Sequence, residues 1–327
     1  MMTAKQLGSD FLLMCKNVPV FDITRDIILD YDRIPGSIKA GTASFFEWMK
    51  TRYSAMSNVT SRRMLMRLFG TDNHNNVLKP TRALSLSDTY WLKEKHENVL
   101  FEEVTPYLHE RWDEGLSFGE GSIATLFTNG AANKKWDDSL YLRKFNSVKE
   151  YEVYNIISEL YPQSEKHNFD LTKYKLDGQD LVLSNFTSMD TFLEALNQSD
   201  FLGDTGNHFE VALDIYGQPF GMLLLIDYLV EHDDRHSGNI GHLRCANTGK
   251  FLKMAPFYDF DWCFSSYSIP LPEKLFCNFN DTVTDFCNRV INFLKSQKFL
   301  NPEYKPILEK RLSEIQERQM QLRPNAI

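Results

Sequence analysis

Residues 231–240 read EHDDRHSGNI and follow GMLLLIDYLV, one of the most hydrophobic stretches of the chain. Asp234 and Asn239 are spaced so that a loop leaving a helix can turn both side chains toward one point. An aspartate there can accept a proton from a hydroxyl nucleophile, and an asparagine oxygen can hold a magnesium ion. Further on, KMAPFYDFDW (253–262) reads as a short strand ending at Asp259. A carboxylate at a strand end can hold the magnesium that bridges nucleotide phosphates. Each stretch alone is equally the pattern of a solvated polar turn.

The elements that would serve this chemistry lie in the first half. SIATLF, TNGAANKKW and SLYLRKF read as strand, small-residue turn and strand, with Lys144 on the second strand. SVKEYEVYNIISEL (147–160) is an amphipathic helix with Ser147 as N-cap and Glu150 at the capping-box position. A strand lysine paired with a helix glutamate, beside a loop over phosphates, is the small-lobe half of a phosphotransferase. The pattern leaves two choices open: Arg143 could face inward instead of Lys144, and Glu152 could face solvent.

In this order the motifs resemble the HipA-like serine/threonine kinases, bacterial toxins of toxin–antitoxin pairs. The family's D-R-H-x-x-N catalytic loop is matched by Asp234, Arg235, His236 and Asn239, and its A-P-x-Y-D stretch by Asp259 within APFYD. Its G-A-x-x-K phosphate loop is similar to Gly130-Ala131-Ala132-Asn133-Lys134. The motifs span roughly residues 115–265, and SLSDTYWLK (85–93) is similar to a segment of HipA-like chains from Gram-positive bacteria, which carries the resemblance into the first hundred residues.

The resemblance implies an α+β, two-lobed, protein-kinase-like fold using ATP and magnesium. Asp234 would act on the acceptor hydroxyl, Asn239 and Asp259 would hold magnesium, and Lys144, oriented by Glu152, would contact the phosphates. Thr128, Asn129 and the Gly130–Lys134 loop would cover the phosphates, Ser184, Asn185 and Phe186 would form the adenine hinge, and His236 would border the nucleotide. Partners would be a protein substrate and a small DNA-binding antitoxin. Two departures stand out. Asn133 occupies a place where the family usually has Pro or Glu, and no serine is in register for inactivating autophosphorylation, Thr128 being the nearest hydroxyl.

The expected layout is an N-terminal α/β subdomain (1–114), a nucleotide-binding part of the small lobe (115–185) and a helical catalytic lobe (186–327). Helices are expected at SFFEWMKTRY, SRRMLMRLFG, MDTFLEAL, FEVALDIY, PFGMLLLIDYLVEH and PILEKRLSEIQERQMQL, with paired strands within FLLMCKNVPVFDI. Unlike lobes suggest a site in the crevice between them.

A net charge of −8 over 327 residues argues against a surface that neutralises nucleic-acid phosphates, so no direct nucleic-acid binding is expected. Five cysteines without a C-x-x-C pair fit a reducing compartment. The N-terminal apolar patch is too short for a signal-peptide core and FGMLLLI is too short to span a membrane, so a cytoplasmic protein is expected, a secreted effector staying open. HDDRH has the histidine spacing of the zinc-protease helix motif, but Asp replaces its Glu and Gly238 follows at once. FGEGSIA imitates a dinucleotide fingerprint without its βαβ context. Alternative readings are a nucleotide-binding pseudokinase scaffold and a phosphoinositide-kinase-like enzyme acting on a non-protein hydroxyl.

Overall fold

A computed structural model describes residues 10–51 except 40 and 42, 62–63, 66–67, 70–71, 78, 81–85, 88–105, 134–136, 142–161, 173–184, 190–191, 208–235, 239–296 and 298–322. The chain is mixed α+β, with antiparallel sheet in its N-terminal part and helices dominating toward the C-terminus.

It begins with β1 (Phe11–Cys15), β2 (Val18–Asp22) and β3 (Ile27–Ile28), then short helices α1 (Gly36–Lys39) and α2 (Phe45–Thr51), strand β4 (Tyr90–Glu94) and a one-turn helix α3 (Phe101–Val104). Next come β5 (Lys134–Trp136), β6 (Leu142–Lys144), helix α4 (Val148–Leu160), β7 (Lys173–Asp177), β8 (Asp180–Ser184) and β9 (Asp190–Thr191). Helices α5 (His208–Tyr216) and α6 (Gln218–Leu229) lead to β10 (Gly241–Arg244) and β11 (Phe251–Met254). Helices α7 (Glu273–Asn278), α8 (Asn280–Ser296) and α9 (Lys305–Leu322) close the chain.

Two compact units result: residues 1–145, 182–202 and 242–253 form one, and 146–181, 203–241 and 254–327 the other. In the first, a sheet runs in the order β3-β2-β1-β4, antiparallel throughout. FLLMC is apolar at every position because both faces of β1 are covered. Alternation sends Phe11, Leu13 and Cys15 into one cluster with Phe45, Trp48, Tyr90 and Leu92, and Leu12 and Met14 into another with Trp91 and Phe101. Trp91 is fully buried and donates its indole N–H to the Lys16 carbonyl at 2.7 Å, so its one polar atom is satisfied.

The second unit is built on helical periodicity. In α8, Thr282, Val283, Phe286, Cys287, Val290, Phe293 and Leu294 form one buried stripe, and Leu308, Leu312 and Ile315 repeat the pattern on α9. α6 is buried along almost its whole length, which explains why PFGMLLLIDYL has no polar face. Gly217, with φ +62, makes the left-handed joint between α5 and α6 that a side chain would strain.

Some expectations change. MDTFLEAL is not a helix where it is described: Asp190 and Thr191 pair as β9 beside β10. The strand expected to end at Asp259 ends at Met254, because Ala255–Phe260 turns to cross other elements instead of extending a ladder. SRRMLMRLFG is helical at the positions that are described, and Gly70 has φ +67, as suits a helix stop. The segments SIATLF and FGEGSIA lie outside the described residues.

Candidate active site

The last turn of α6 sets up the polar loop that follows. Asp227 is fully buried on this otherwise apolar helix, a position that requires a partner. That partner is Arg235, also buried, whose Nε and Nη2 donate to the two carboxylate oxygens of Asp227 at 2.9 and 3.0 Å. The helix ends at Leu229, before either histidine of HDDRH, so a zinc-binding helical pair cannot form.

Arg235 does more than neutralise Asp227. Its Nη1 donates to the Asn239 carbonyl at 2.7 Å and to the Tyr258 carbonyl at 2.9 Å. One guanidinium therefore joins the end of α6, the DRHSGN loop and the APFYD segment. Asn239 is buried and donates its side-chain amide to the Asp234 carbonyl at 3.0 Å, which closes the loop on itself. The Asp234 side chain is exposed, as a group meeting an incoming hydroxyl must be.

Asp259 adopts φ +63, a left-handed conformation that costs a non-glycine residue about 1–2 kcal/mol. Such strain gathers at functional sites. The turn brings Asp259 and Asp261 together with Glu150 of α4, one carboxylate oxygen from each lying within 4.8 Å of the others. Glu150 Oε1 accepts the Phe260 amide at 3.2 Å and the Tyr154 hydroxyl at 3.4 Å. The Phe260 ring lies against Tyr154, His232 and the Arg235 guanidinium.

This cluster was only partly legible. Glu150 looked like a capping-box residue, but Ser147 makes no side-chain capping bond and Glu150 turns toward Phe260. Asp261 belongs to none of the motifs, and it is the left-handed turn at Asp259 that brings both carboxylates of DFD to Glu150. Glu152 is buried on the same helix and accepts the Leu300 amide at 3.3 Å; burial pushes its carboxyl above the usual range, against the Leu300 and Asn301 amides. Lys144 is buried on β6, in the first unit, with Lys134 opposite it on β5 and Arg143 half-buried beside it. Ser184 ends β8. Thr128, Asn129, Gly130, Ala131, Ala132, Asn133, Asn185, Phe186 and His236 lie outside the described residues.

His232 is fully buried against Phe260, and Asp227 Oδ1 lies 3.4 Å from its Nδ1. Burial lowers its pKa and outweighs the opposing pull of Asp227, Asp259 and Asp234, while Arg235 lowers it further. The unfolded imidazole then takes up a proton near pH 6.5 and the folded one only at lower pH. Stability is therefore complete above pH 6.5 and falls as pH drops toward the folded value, by at most about 1.4 kcal/mol per pH unit. Urea unfolding between pH 7 and 5 is expected to show a flatter decline for His232→Phe than for the wild type. Parallel declines would remove His232 from the account.

No protein-family model and no curated protein matches the sequence. Solved structures do. A chain of the Shewanella oneidensis MR-1 complex of the toxin–antitoxin system HipA, HipB and operator DNA aligns over 95% of this chain and 97% of its own, with a TM-score of 0.50 and 11% identity. The fold is that of HipA, a kinase-like fold. The Helicobacter pylori proinflammatory kinase CtkA aligns over 60% of this chain and 91% of its own, with a TM-score of 0.38 and 15% identity. Among the described residues, no helix is long and apolar enough to cross a membrane.

Proposed function

We propose that this chain is a kinase that uses ATP and magnesium to phosphorylate a Ser or Thr hydroxyl on a protein. The observation that carries the reading is Arg235, whose single Nη1 holds the carbonyls of Asn239 and Tyr258 and so draws the catalytic-loop motif and the metal-aspartate motif together. Separate polar turns would have no reason to share a buried guanidinium. The HipA-like fold over almost the entire chain supports the same reading.

The donor set suits the metal. Glu150, Asp259 and Asp261 offer carboxylate oxygens, and Asn239, whose amide nitrogen is engaged by the Asp234 carbonyl, offers an amide oxygen. Hard oxygen ligands are what magnesium takes, and a cation would relieve the mutual repulsion of three carboxylates. When bound, magnesium neutralises charge on the transferring phosphoryl group. Asn239 and Asp259 are assigned to it, with Glu150 and Asp261 beside Asp259. Asp234, exposed on its loop, orients the acceptor hydroxyl and takes its proton. Lys144 meets the nucleotide phosphates, and residues 128–133 with Lys134, which the structure places at the start of β5 and not in the expected turn, and with Ser184, Asn185, Phe186 and His236 complete the nucleotide site. Glu152 was expected to orient Lys144; Glu150, which stands with the aspartates, is the stronger candidate for the working carboxylate of α4. A small DNA-binding protein, by analogy with HipB in the HipA complex, is the proposed partner.

Incubation with radiolabelled ATP, with and without magnesium, tests the reading. Magnesium-dependent label on protein is expected; nucleotide binding without transfer would make the chain a pseudokinase. The same assay resolves the strand register. Neighbouring strand residues face opposite sides, so with Lys144 buried and Arg143 half-buried, Lys144→Met abolishes transfer while Arg143→Met remains substantially active. Equal losses would show that the register is not what selects the lysine.

A further inference from the structure

The loop that carries Asp234 begins at Glu231, to which no role has been given so far. Glu231 is buried and has φ +51, a conformation that a glutamate does not hold without outside contacts. Those contacts come from two directions. Arg311 of α9 donates Nε and Nη2 to Glu231 Oε1 at 3.1 and 2.9 Å. The Ser266 amide donates to Glu231 Oε2 at 3.0 Å. Around this carboxylate the chain after DFD is stitched to the chain before Asp234: the Phe264 amide donates to the Val230 carbonyl at 2.7 Å, and the Ser265 hydroxyl reaches the Glu231 carbonyl and the Asp233 carboxylate.

Arg311 is held in turn by the side chains of Glu314 and Tyr228. Its Nη1 donates to Glu314 Oε2 at 2.8 Å, that carboxylate oxygen also accepts the Tyr228 hydroxyl at 2.9 Å, and the guanidinium lies over the Tyr228 ring. The fork is thus divided, one part for the helix framework and one for Glu231.

We propose that Arg311 is a positioning residue: through Glu231, the C-terminal helix holds the loop bearing Asp234 and the segment following Asp259 in their working conformation. The physical argument is directional. A planar guanidinium with several fixed donors can set a carboxylate's orientation as well as attract it. The Glu231 carboxylate meets Arg311 through one oxygen and the Ser266 amide through the other, so both loops move if it turns. The proposal rests on the kinase reading for its catalytic meaning, but the clamp itself can be measured without activity.

Hydrogen exchange, followed by mass spectrometry on the full chain, is the primary test. Arg311→Met is expected to exchange at least about tenfold faster than wild type in peptides covering 231–235 and 264–267, with α8 protected as before. Glu314→Gln, which disturbs Arg311 without touching the loop, is expected to leave those peptides within about threefold of wild type. If Arg311→Met does not fold, Arg311→Lys, which keeps the charge and loses the fork, is expected to show the same local acceleration at smaller amplitude. Unchanged exchange in both loops for the Arg311 variants, or equal acceleration in Glu314→Gln, would overturn the clamp. In the phosphorylation assay, with rates referred to the folded fraction measured by circular dichroism, Arg311→Met is expected to lower kcat about tenfold or more while the KM for ATP stays within about threefold; a mere loss of folded protein would disappear on that normalisation. Loop acceleration in Arg311→Met with kcat unchanged would overturn its positioning role. A wild-type protein that transfers no phosphate, with the loops still loosened in Arg311→Met, would remove the kinase reading and retain the clamp.

Discussion

Asp234→Asn is expected to slow phosphoryl transfer by about 10²–10⁴-fold, the usual size of a general-base contribution, and to leave magnesium–ATP binding nearly intact. The side chain is exposed at the surface of its loop, and the bonds that shape the loop run through the Asp234 backbone carbonyl and through Arg235. The substitution therefore removes a proton acceptor without removing a support. Asp259→Asn should behave differently, since Asp259 belongs to the carboxylate cluster with Glu150 and Asp261. Losing one charge there weakens a bridge to phosphates as well as slowing transfer. Thermal unfolding separates the two. Ligand at about 100 times its dissociation constant adds about 2.7 kcal/mol to a native state that alone binds it. Wild type and Asp234→Asn should both show a magnesium-dependent ATP shift, and Asp259→Asn should lose most of it. The reverse pattern would exchange the two roles.

Arg235→Met should destabilise the second unit by about 3–5 kcal/mol, the cost of leaving a buried charge without its partner. Asp227 is fully buried and its two oxygens receive the two Arg235 donors, so once the guanidinium is gone it is left facing His232, whose Nδ1 lies 3.4 Å away and whose protonation burial disfavours. The carbonyls of Asn239 and Tyr258 lose a donor at the same time, each at about 1–3 kcal/mol if water cannot replace it. The double variant Asp227→Leu/Arg235→Met isolates the charge contribution. With no ion left to strand, it should be more stable than Arg235→Met alone, while transfer stays lost because the two loops are no longer tied. Urea unfolding of the three proteins checks this. A loss below about 1 kcal/mol in Arg235→Met would mean that Arg235 does not tie the loops.

Much of the fold was legible because the physics is local. The two apolar runs of FLLMCKNVPVFDI on either side of the Lys16-Asn17 turn give β1 and β2, the 3.6-residue spacing of apolar residues gives α4, α5 and α9, and the length of its apolar run gives α6. The length of α6 was overestimated by the pattern PFGMLLLIDYLVEH: the helix stops at Leu229 because Glu231 turns left-handed under Arg311, a residue far away in sequence. MDTFLEAL has helical spacing, yet Asp190–Thr191 joins a sheet with β10 and β11, since an available strand edge outweighs a weak local preference.

The sequence alone determined which chemistries are present and in what order: a strand lysine, helix glutamates, the DRHxxN loop and the APFYD segment, on an acidic chain. It could not determine which glutamate of α4 stands with the aspartates. Glu150 and Glu152 are two residues apart on a helix and so point to nearly opposite sides. Only the packing shows that the APFYDFD segment crosses the Glu150 side, while the Leu300 loop covers Glu152. Nor could it show that Arg235, the R of a motif read for its acids, is buried with Asp227. A charge is worth burying only where its partners converge, and those partners come from α6, the DRHSGN loop and the segment before Asp259, which only the tertiary fold brings to one point.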